Sequence, residues 1–459
     1  MDYREATRYL ISLGNEVRAS AFDGIPVFKL GLGNIRALLE DMEQPQDAYP
    51  SALIAGTNGK GSVAAMLEAV LRAAGLRTGL YTSPHLVEIT ERIQMGGRPM
   101  APAEFAGSFT ALHARIERLL ASGRLSYHPT YFECLTAMAM EYFRQQRCQF
   151  AVLEVGMGGR LDATNTATPC LVVLTQIDYD HERFLGHTLA AIASEKAGVI
   201  KPGSVVVSTA SHPDAAAVIR EKARQQGARL VEVGKEWVAQ EVSSQEGRYR
   251  FRACRGEVSL PVELSLRGRH QVENALAVIA AAQELARIGF PISEEHIRQG
   301  LSRAEWPGRL ELVQQEPAVY LDGAHNPAGA RALVRFWEEC FPDRRLLLVY
   351  GAVRDKAVPE ITEILFPRAS VVILTKPEQP RAAAPETIRD LAAHLNPELW
   401  MEPSPETALE AALTLASPQD VIFVTGSLYL VGDIKRRRRS GVRGPEARRE
   451  AVSVSTGDR

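Results

Sequence analysis

The sequence predicts an α/β protein: an N-terminal doubly wound, mostly parallel sheet with a phosphate loop, then a smaller C-terminal α/β domain of Rossmann-like topology. Three observations predict this. Apolar strands alternate with helical stretches over most of the 459 residues, a glycine-rich loop follows an early strand, and the alternation is interrupted once by Trp-Pro-Gly before it resumes. Such alternation is typical of βαβ units around a parallel sheet.

Five apolar runs predict the strands of the first sheet, because buried parallel strands are apolar on both faces and rich in Val, Leu and Ile. They read ALIAG, RTGLYTS, FAVLEVG, CLVVLTQI and SVVVST. Helices are predicted at residues 63–74, 102–121, 130–146 and 188–197. Residues 228–265 hold shorter, alternating runs that begin with RLVEVG and predict an antiparallel flank.

The second domain begins after RAEWPGRLELV, where Trp-Pro-Gly cannot continue a helix. Its strands are predicted in AVYLDGAHN, RLLLVYGA, SVVILT and DVIFVTGS, and its helices at 327–340, 357–366 and 385–395. We therefore predict a first domain over 1–303, a linker over 304–309 and a second domain over 310–433. Residues 434–459 are basic without apolar periodicity, which predicts a disordered tail rather than a nucleic-acid-binding arm.

Composition favours a cytoplasmic enzyme. The chain has 46% hydrophobic and 24% charged residues and a formal net charge of −2, so its balance indicates neither nucleic acid nor an anionic membrane as a partner. No apolar stretch is long enough to span a bilayer, and the N-terminus lacks the apolar core of a secretion signal. Five cysteines without C-x-x-C spacing favour a reducing compartment over a zinc site or disulfide framework. A monomer is expected.

The stretch LIAGTNGKGSV at residues 53–63 predicts a phosphate-binding loop. Glycines surround Lys60 between an apolar strand and a helix, and a helix N-terminus reached through such a loop offers unpaired N–H groups to an anion. Lys60 supplies a positive charge and Ser62 a hydroxyl for a magnesium ion. The pattern departs from G-x-x-x-x-G-K-[ST], because Ile54 and Gly61 occupy positions where glycine and serine or threonine are usual.

Polar residues also follow other predicted strands, and parallel strands end at one edge of a sheet, where ligands bind. Ser83 follows YT, Glu154 follows AVL, and His181 lies shortly after LVVLTQI. Hard oxygen ligands beside a phosphate loop favour Mg²⁺, and Glu154 occupies the place of an acid that holds nucleotide magnesium. The alternative for Glu154 is a carboxylate that only accepts helix N–H bonds. From the residues alone, Lys196 fits a surface salt bridge as well as any special role.

Eight motifs occur in an order that resembles the folylpolyglutamate synthase/dihydrofolate synthase family of Mur-ligase-like, ATP-dependent amide ligases. They are AGTNGKGS, YTSPHL, LEVGMGGRLDATN, DHERFLG, SEKAGVIK, GRHQVENA, WPGRLE and LDGAHNP. The resemblance spans about residues 25–433 and includes the unusual form of the phosphate loop. It implies that the first domain binds ATP and that the second completes the nucleotide and glutamate site.

The resemblance also assigns residues. It implies catalytic roles for Lys60, Lys196, Arg309 and His325, the last with the amino-acid substrate. It implies that ATP is bound by Gly59, Lys60, Gly61, Ser62, Asn274, Arg309 and Asp322. Two Mg²⁺ ions would be held by Ser83, Glu154, His181 and Lys196, the lysine being carbamylated. A pterin substrate would contact Thr130, Tyr131, Phe132, Glu133, Leu161, Asp162 and Ala163.

The implied reaction joins L-glutamate to the carboxylate of dihydropteroate or a reduced folate through an acyl phosphate. Two alternatives remain. A peptidoglycan-precursor ligase of the same wider group would act on a nucleotide-sugar, which the sequence TYFE and the missing UDP-binding domain disfavour. A phosphate-loop NTPase switch would hydrolyse ATP without pterin or glutamate.

Overall fold

The computed structural model describes residues 1–14, 31–396 and 398–439. The chain divides into two compact units, one comprising Met1–Ser244, Tyr249–Ser265 and His270–Glu305, the other Gln245–Arg248, Leu266–Arg269 and the residues from Trp306 onward. Among the described residues, no helix combines the length and the apolar character needed to cross a membrane.

The first unit is built on an eight-stranded sheet of order β4-β3-β2-β5-β1-β6-β7-β8. Its strands are β1 (Ser51–Ala55), β2 (Thr78–Tyr81), β3 (Ile93–Met95), β4 (Arg98–Pro99), β5 (Phe150–Glu154), β6 (Leu171–Leu174), β7 (Val205–Ser208) and β8 (Arg229–Glu232). All neighbours are parallel except β3 with β2 and β4 with β3. The prediction of a mostly parallel sheet is confirmed.

Helices cover this sheet. They are α1 (Tyr3–Ser12), α2 (Gly33–Asp41), α3 (Lys60–Ala73), α4 (Pro102–Ala121), α5 (Tyr131–Gln145), α6 (Glu182–Leu185), α7 (Leu189–Ala197), α8 (Pro213–Gln225), α9 (His270–Arg287) and α10 (Glu294–Arg303). The helix predicted from residue 63 begins three residues earlier, because Gly59 completes the turn in a left-handed conformation and the chain enters α3 at once.

One predicted strand belongs to a different sheet. The sequence predicts RLVEVG in the antiparallel flank, but β8 pairs with β7 in parallel. It is the edge strand and buries only Val231 fully, so its sequence alternates as an antiparallel strand does. The remaining flank is a three-stranded sheet of β9 (Val238–Gln245), β10 (Arg248–Arg255) and β11 (Val258–Arg267), joined by two-residue turns.

The second unit holds a six-stranded sheet of order β12-β13-β17-β14-β15-β16, in which only β12 is antiparallel to its neighbour. Its strands are β12 (Glu311–Gln315), β13 (Ala318–Leu321), β14 (Leu346–Tyr350), β15 (Val371–Leu374), β16 (Leu399–Met401) and β17 (Val421–Thr425). Its helices are α11 (Pro327–Cys340), α12 (Val358–Leu365), α13 (Pro385–Ala392), α14 (Pro405–Leu415) and α15 (Leu428–Arg439). This confirms the Rossmann-like topology.

Helix α15 corrects the predicted start of the basic tail at residue 434. Residues 434–439 are helical, and carboxylates of the second unit neutralise two of the cationic side chains in this stretch. Lys435 pairs with Glu311, and Arg437 pairs with Glu378 at 2.9 Å. The rest of the predicted tail, residues 440–459, lies outside the described residues.

Candidate active site

The phosphate loop connects β1 to α3 and requires glycine at two positions. Gly56 has a φ of 144°, and a Cβ there would lie 1.8 Å from the hydroxyl oxygen of Thr175. Gly59 has a φ of 90°, and a Cβ there would lie 2.5 Å from Oδ1 of Asn274. Both positions combine left-handed backbone with close approach, which only glycine accommodates.

Two lysines meet at the carbonyl oxygen of Gly56. Lys60 donates from Nζ to this oxygen at 3.2 Å and to the carbonyl oxygen of Thr57 at 3.2 Å. Lys196, in the last turn of α7, donates from Nζ to the same Gly56 oxygen at 2.7 Å. Lys196 is 4% exposed, so the alternative of a surface salt bridge is wrong. The loop therefore carries two ammonium groups, a suitable environment for a polyanion.

Glu154 lies at the carboxyl end of β5, beside β1. The register of the two strands pairs it with Ile54, one residue before the end of β1 and the start of the phosphate loop. Its side chain is 4% exposed, and Oε2 accepts a hydrogen bond from the backbone N–H of Ser83 at 2.9 Å. Ser83 follows β2, the neighbour of β5 on the other side. Lys60, Ser83 and Glu154 thus lie at one edge of the sheet.

The segment after β6 reaches the same edge through Thr57. The hydroxyl of Thr57 donates to the carbonyl oxygen of Asp178 at 3.0 Å and accepts from its N–H at 3.1 Å. His181 follows at the start of α6 with a φ of 52°, and its Nε2 lies 3.7 Å from a carboxylate oxygen of Asp180.

Helix α9 brings Asn274 to the phosphate loop within the first unit. Asn274 lies against Gly59 and donates to the side-chain oxygen of Gln271 at 2.9 Å. Gln271 in turn donates to the hydroxyl of Ser62 at 3.2 Å. The side chains of Asn274, Gln271 and Ser62 therefore form a continuous chain along the first turn of α3.

The start of α5 is stabilised by the residues that the resemblance assigns to the pterin. Thr130 and Glu133 form a capping box: the Glu133 N–H donates to the Thr130 hydroxyl at 3.2 Å, and the Glu133 carboxylate accepts from the Thr130 N–H at 2.8 Å. Tyr131 is 2% exposed and belongs to the hydrophobic core. The sequence T-x-x-E is the signature of this capping box, so Thr130 and Glu133 have a structural role that requires no bound ligand.

Phe132 meets Asp162 at Gly156. A Cβ on Gly156 would lie 2.7 Å from the Phe132 ring and 3.3 Å from Oδ2 of Asp162. Asp162 accepts hydrogen bonds from the N–H groups of Gly156 at 3.0 Å and Met157 at 3.1 Å, and also from the N–H and hydroxyl of Thr164. Its carboxylate thus holds the loop that follows Glu154. Burial raises the pKa of Asp162 to about 6, outweighing these hydrogen bonds.

The other two residues of this set flank Asp162. Leu161 is half-buried and Ala163 is 4% exposed. Residues 163–166 form a short 3₁₀ helix that Asp162 caps.

Three predicted site residues lie together in the second unit. Arg309 lies at Gly323, where a Cβ would be 2.6 Å from Nη1 of the arginine. Asp322 is 7% exposed and accepts from the N–H of Leu310 at 3.0 Å and that of Ala324 at 2.9 Å. Nδ1 of His325 is 2.8 Å from the carbonyl oxygen of Gly323. Through these two hydrogen bonds, Asp322 links the loop that contains Arg309 with the loop that contains His325.

Two family models match the chain: the Mur ligase middle domain over residues 54–282 and the Mur ligase glutamate ligase domain over residues 308–428. Dihydrofolate synthase/folylpolyglutamate synthase of Bacillus subtilis is 34% identical over 414 residues, covering 89% of this chain and 95% of that protein. The chain belongs to the folylpolyglutamate synthase/dihydrofolate synthase family.

Solved structures of relatives share this fold. Mycobacterium tuberculosis folylpolyglutamate synthase, complexed with ADP, matches with a TM-score of 0.86 and 31% identity, covering 96% of this chain and 100% of that one. Escherichia coli FolC, in complex with DHPP and ADP, matches with a TM-score of 0.81 and 29% identity, covering 95% and 98%. The resemblance inferred from the eight motifs is confirmed.

Sequence reasoning missed three residues that shape this folylpolyglutamate synthase-like site. Thr57 lies inside the quoted loop, and Thr175 directly follows β6, so position alone could have indicated both. Gln271 lies inside GRHQVENA, but its bond to Ser62 depends on how α9 packs against α3. No local pattern encodes that contact.

Asp162 predicts a pH dependence of stability. The raised pKa means that the folded protein keeps this proton to higher pH than the unfolded chain, so the stabilisation present below the ordinary value of 3.8 is lost as pH rises to about 6. The loss amounts to about 3 kcal/mol in the free energy of unfolding. Denaturant titrations of wild type and Asp162→Asn across this window should show the decline in wild type and not in the variant.

The exposed Asp214 on α8 supplies the matched control, since Asp214→Asn should keep the wild-type pH profile. Identical profiles for wild type and Asp162→Asn would contradict the assignment.

Proposed function

We propose that this protein uses ATP to join L-glutamate to the carboxylate of a pterin or folate, with release of ADP and phosphate. Membership in a family of ATP-dependent amide ligases supports the reaction class. The observation that carries the proposal is the meeting of Lys60 and Lys196 at the Gly56 oxygen, beside the buried carboxylate of Glu154. Phe132 and Asp162 meet at Gly156, which lies only two residues after Glu154. The chain therefore connects the proposed phosphate site directly to the proposed substrate site.

The carboxylate of the acceptor must be activated before an amine can replace one of its oxygens, because the leaving group would otherwise be oxide, which cannot leave at neutral pH. An oxygen of the substrate carboxylate attacks the γ-phosphorus of ATP, the bond to the bridging oxygen breaks, and ADP leaves. The neutral amine of glutamate then attacks the acyl carbon, phosphate leaves with the bonding electrons, and the nitrogen loses a proton. Catalysis of such phosphoryl transfer is mostly positioning and electrostatic stabilisation.

The residues of the phosphate loop suit the first step. Gly59, Lys60, Gly61 and Ser62 span the cap and first turn of α3, where N–H groups lack helical partners and the dipole favours an anion. Lys60 already bonds the loop backbone, so its ammonium lies where the phosphates would be held. Asn274 closes one side of this loop and is proposed to contact the nucleotide.

Glu154 and Ser83 fit a magnesium site, because a buried carboxylate and a serine whose backbone N–H bonds that carboxylate offer hard oxygen ligands. Mg²⁺ would neutralise charge on the phosphates. His181, after β6, is the proposed third ligand. Lys196 as an ammonium can only donate, so it fits the ligand set as a carbamate, which replaces a positive charge with anionic oxygens.

Residues of the second unit are proposed to bind the nucleotide and the glutamate. The match of residues 308–428 to a glutamate ligase domain supports this. Arg309 and Asp322 are the proposed nucleotide residues, and His325 is proposed to place the glutamate amine or take its proton. The bonds of Asp322 to Leu310 and Ala324 hold these residues in one arrangement.

Relatives are named dihydrofolate synthase/folylpolyglutamate synthase, which supports two proposed acceptors, dihydropteroate and reduced folate. Phe132 and Asp162 are proposed to lie against the pterin. Thr130 and Glu133 are proposed to contribute indirectly, by stabilising the start of α5. A cytoplasmic location and a monomeric state remain predictions from the sequence.

The function is tested by ADP release from the full chain with ATP, Mg²⁺ and L-glutamate, comparing dihydropteroate, tetrahydrofolate and no acceptor. Turnover should require both an acceptor and glutamate, and mass spectrometry should find the new amide. Glu154→Gln should lower turnover by about 100-fold, since it removes the anionic ligand proposed to hold the magnesium ion that neutralises the phosphates. Glu221→Gln, an exposed ion-pair partner on α8, should not. Equal ADP release without acceptor would instead support an NTPase switch, and turnover of a nucleotide-sugar a peptidoglycan-precursor ligase.

Carbamylation of Lys196 is tested by ¹³C NMR after equilibration with ¹³C-bicarbonate. Wild type should give a carbamate signal that Lys196→Ala lacks, with loss of ligase turnover in the variant. Lys235→Ala, which removes an exposed lysine bonded to Glu232, should keep both signal and turnover. Full activity of Lys196→Ala would contradict the assignment.

A further inference from the structure

We propose that His113, Glu117 and His128 form a second metal site, for a divalent transition metal of the zinc class. His113 and Glu117 lie one turn apart on α4, and His128 lies in the segment before α5. One ligand atom from each of the three residues lies within 4.8 Å of the others. In the described part of the chain, this is the one such group of three or more His, Cys, Asp or Glu side chains.

The spacing of the three groups needs little adjustment. Nδ1 of His113 is 3.9 Å from Oε1 of Glu117. Ligands about 2.1 Å from a tetrahedral zinc ion lie about 3.4 Å from each other. Small changes in side-chain torsions therefore close the site, and Glu117 has room for them because 56% of its side chain is exposed.

His128 is oriented as a metal ligand. Its Nδ1 is 2.7 Å from the carbonyl oxygen of Pro129, which can only accept, so Nδ1 carries the proton. The lone pair is then on Nε2, which accepts from the hydroxyl of Tyr9 at 3.3 Å, a hydrogen bond that a bound metal ion would replace. A backbone carbonyl that fixes the tautomer in this way is the usual support of a metal-bound histidine.

His113 supplies an independent observation. Its Nδ1 is buried yet has no hydrogen-bond partner, and a buried polar atom in that state is costly. The ring packs edge-on against Tyr9 with centroids 4.6 Å apart, which holds the imidazole in place. A metal ion bound between His113, Glu117 and His128 would satisfy this nitrogen.

The donor set selects the metal. Two imidazoles and one carboxylate suit Zn²⁺, Co²⁺ or Ni²⁺, whereas Mg²⁺ prefers oxygen ligands and retains its waters. The site is therefore chemically distinct from the proposed magnesium site at Glu154. It would link α4 to the segment that continues through Pro129 into the Thr130 cap of α5, so an occupied site stabilises that segment.

The test is a calorimetric titration of the full chain with Zn²⁺ in saturating Mg²⁺, together with melting temperatures. Wild type should bind one Zn²⁺ and melt at a higher temperature with it. Glu117→Gln, at an exposed position, and His113→Gln should weaken binding at least about tenfold and abolish the rise in melting temperature.

His212→Gln is the matched control. His212 and Asp214 form a histidine–carboxylate pair at the same 3.9 Å, outside the group of three. This variant should bind Zn²⁺ as wild type does. The proposal is overturned if wild type binds no Zn²⁺, if Glu117→Gln and His113→Gln bind it like wild type, or if a Co²⁺ complex shows a thiolate charge-transfer band.

Discussion

The candidate site depends on one carbonyl oxygen, that of Gly56, which accepts from both Lys60 and Lys196. Two ammonium nitrogens bonded to one oxygen lie within about 6 Å of each other, a distance at which like charges repel and an anion between them is favoured. The fold holds them there, since Lys60 begins α3 and Lys196 is buried in the last turn of α7. Phosphate oxygens between them, or conversion of Lys196 to a carbamate, would relieve that repulsion. The arrangement is thus suited to negative charge.

The topology explains how residues far apart in sequence reach this point. Strand β1 lies between β5 and β6, all three parallel, so the loops after them emerge side by side. Glu154 ends one neighbour, and the Asp178 segment follows the other and is bonded to Thr57. Gly56 and Gly59 allow Thr175 and Asn274 to approach the loop more closely than any side chain would permit.

Local sequence patterns were sufficient to predict the fold and the family: the apolar strands, a loop of three glycines around a lysine, and eight ordered motifs. The features that the sequence did not predict depend on contacts between segments that are distant in the chain. Edge strand β8 resembles an antiparallel strand because one side is exposed, and residues 434–439 continue helix α15, where Glu311 and Glu378 neutralise Lys435 and Arg437. The burial of Lys196 and the bond of Gln271 to Ser62 depend on packing between distant segments, which spacing in the sequence does not encode.

Two glycines that flank helix α3 test whether the loop before this helix receives the phosphates. Gly59 and Gly75 have similar φ values of 90° and 82°. A Cβ on Gly59 would lie 2.5 Å from Oδ1 of Asn274, whereas a Cβ on Gly75 would have no atom within 4 Å. Calorimetric titration with an ATP analogue and Mg²⁺ should show binding weakened at least about tenfold in Gly59→Ala, because the loop that receives the phosphates must shift. Gly75→Ala should lose stability but keep the wild-type affinity. Equal affinities for Gly59→Ala and Gly75→Ala would contradict the account.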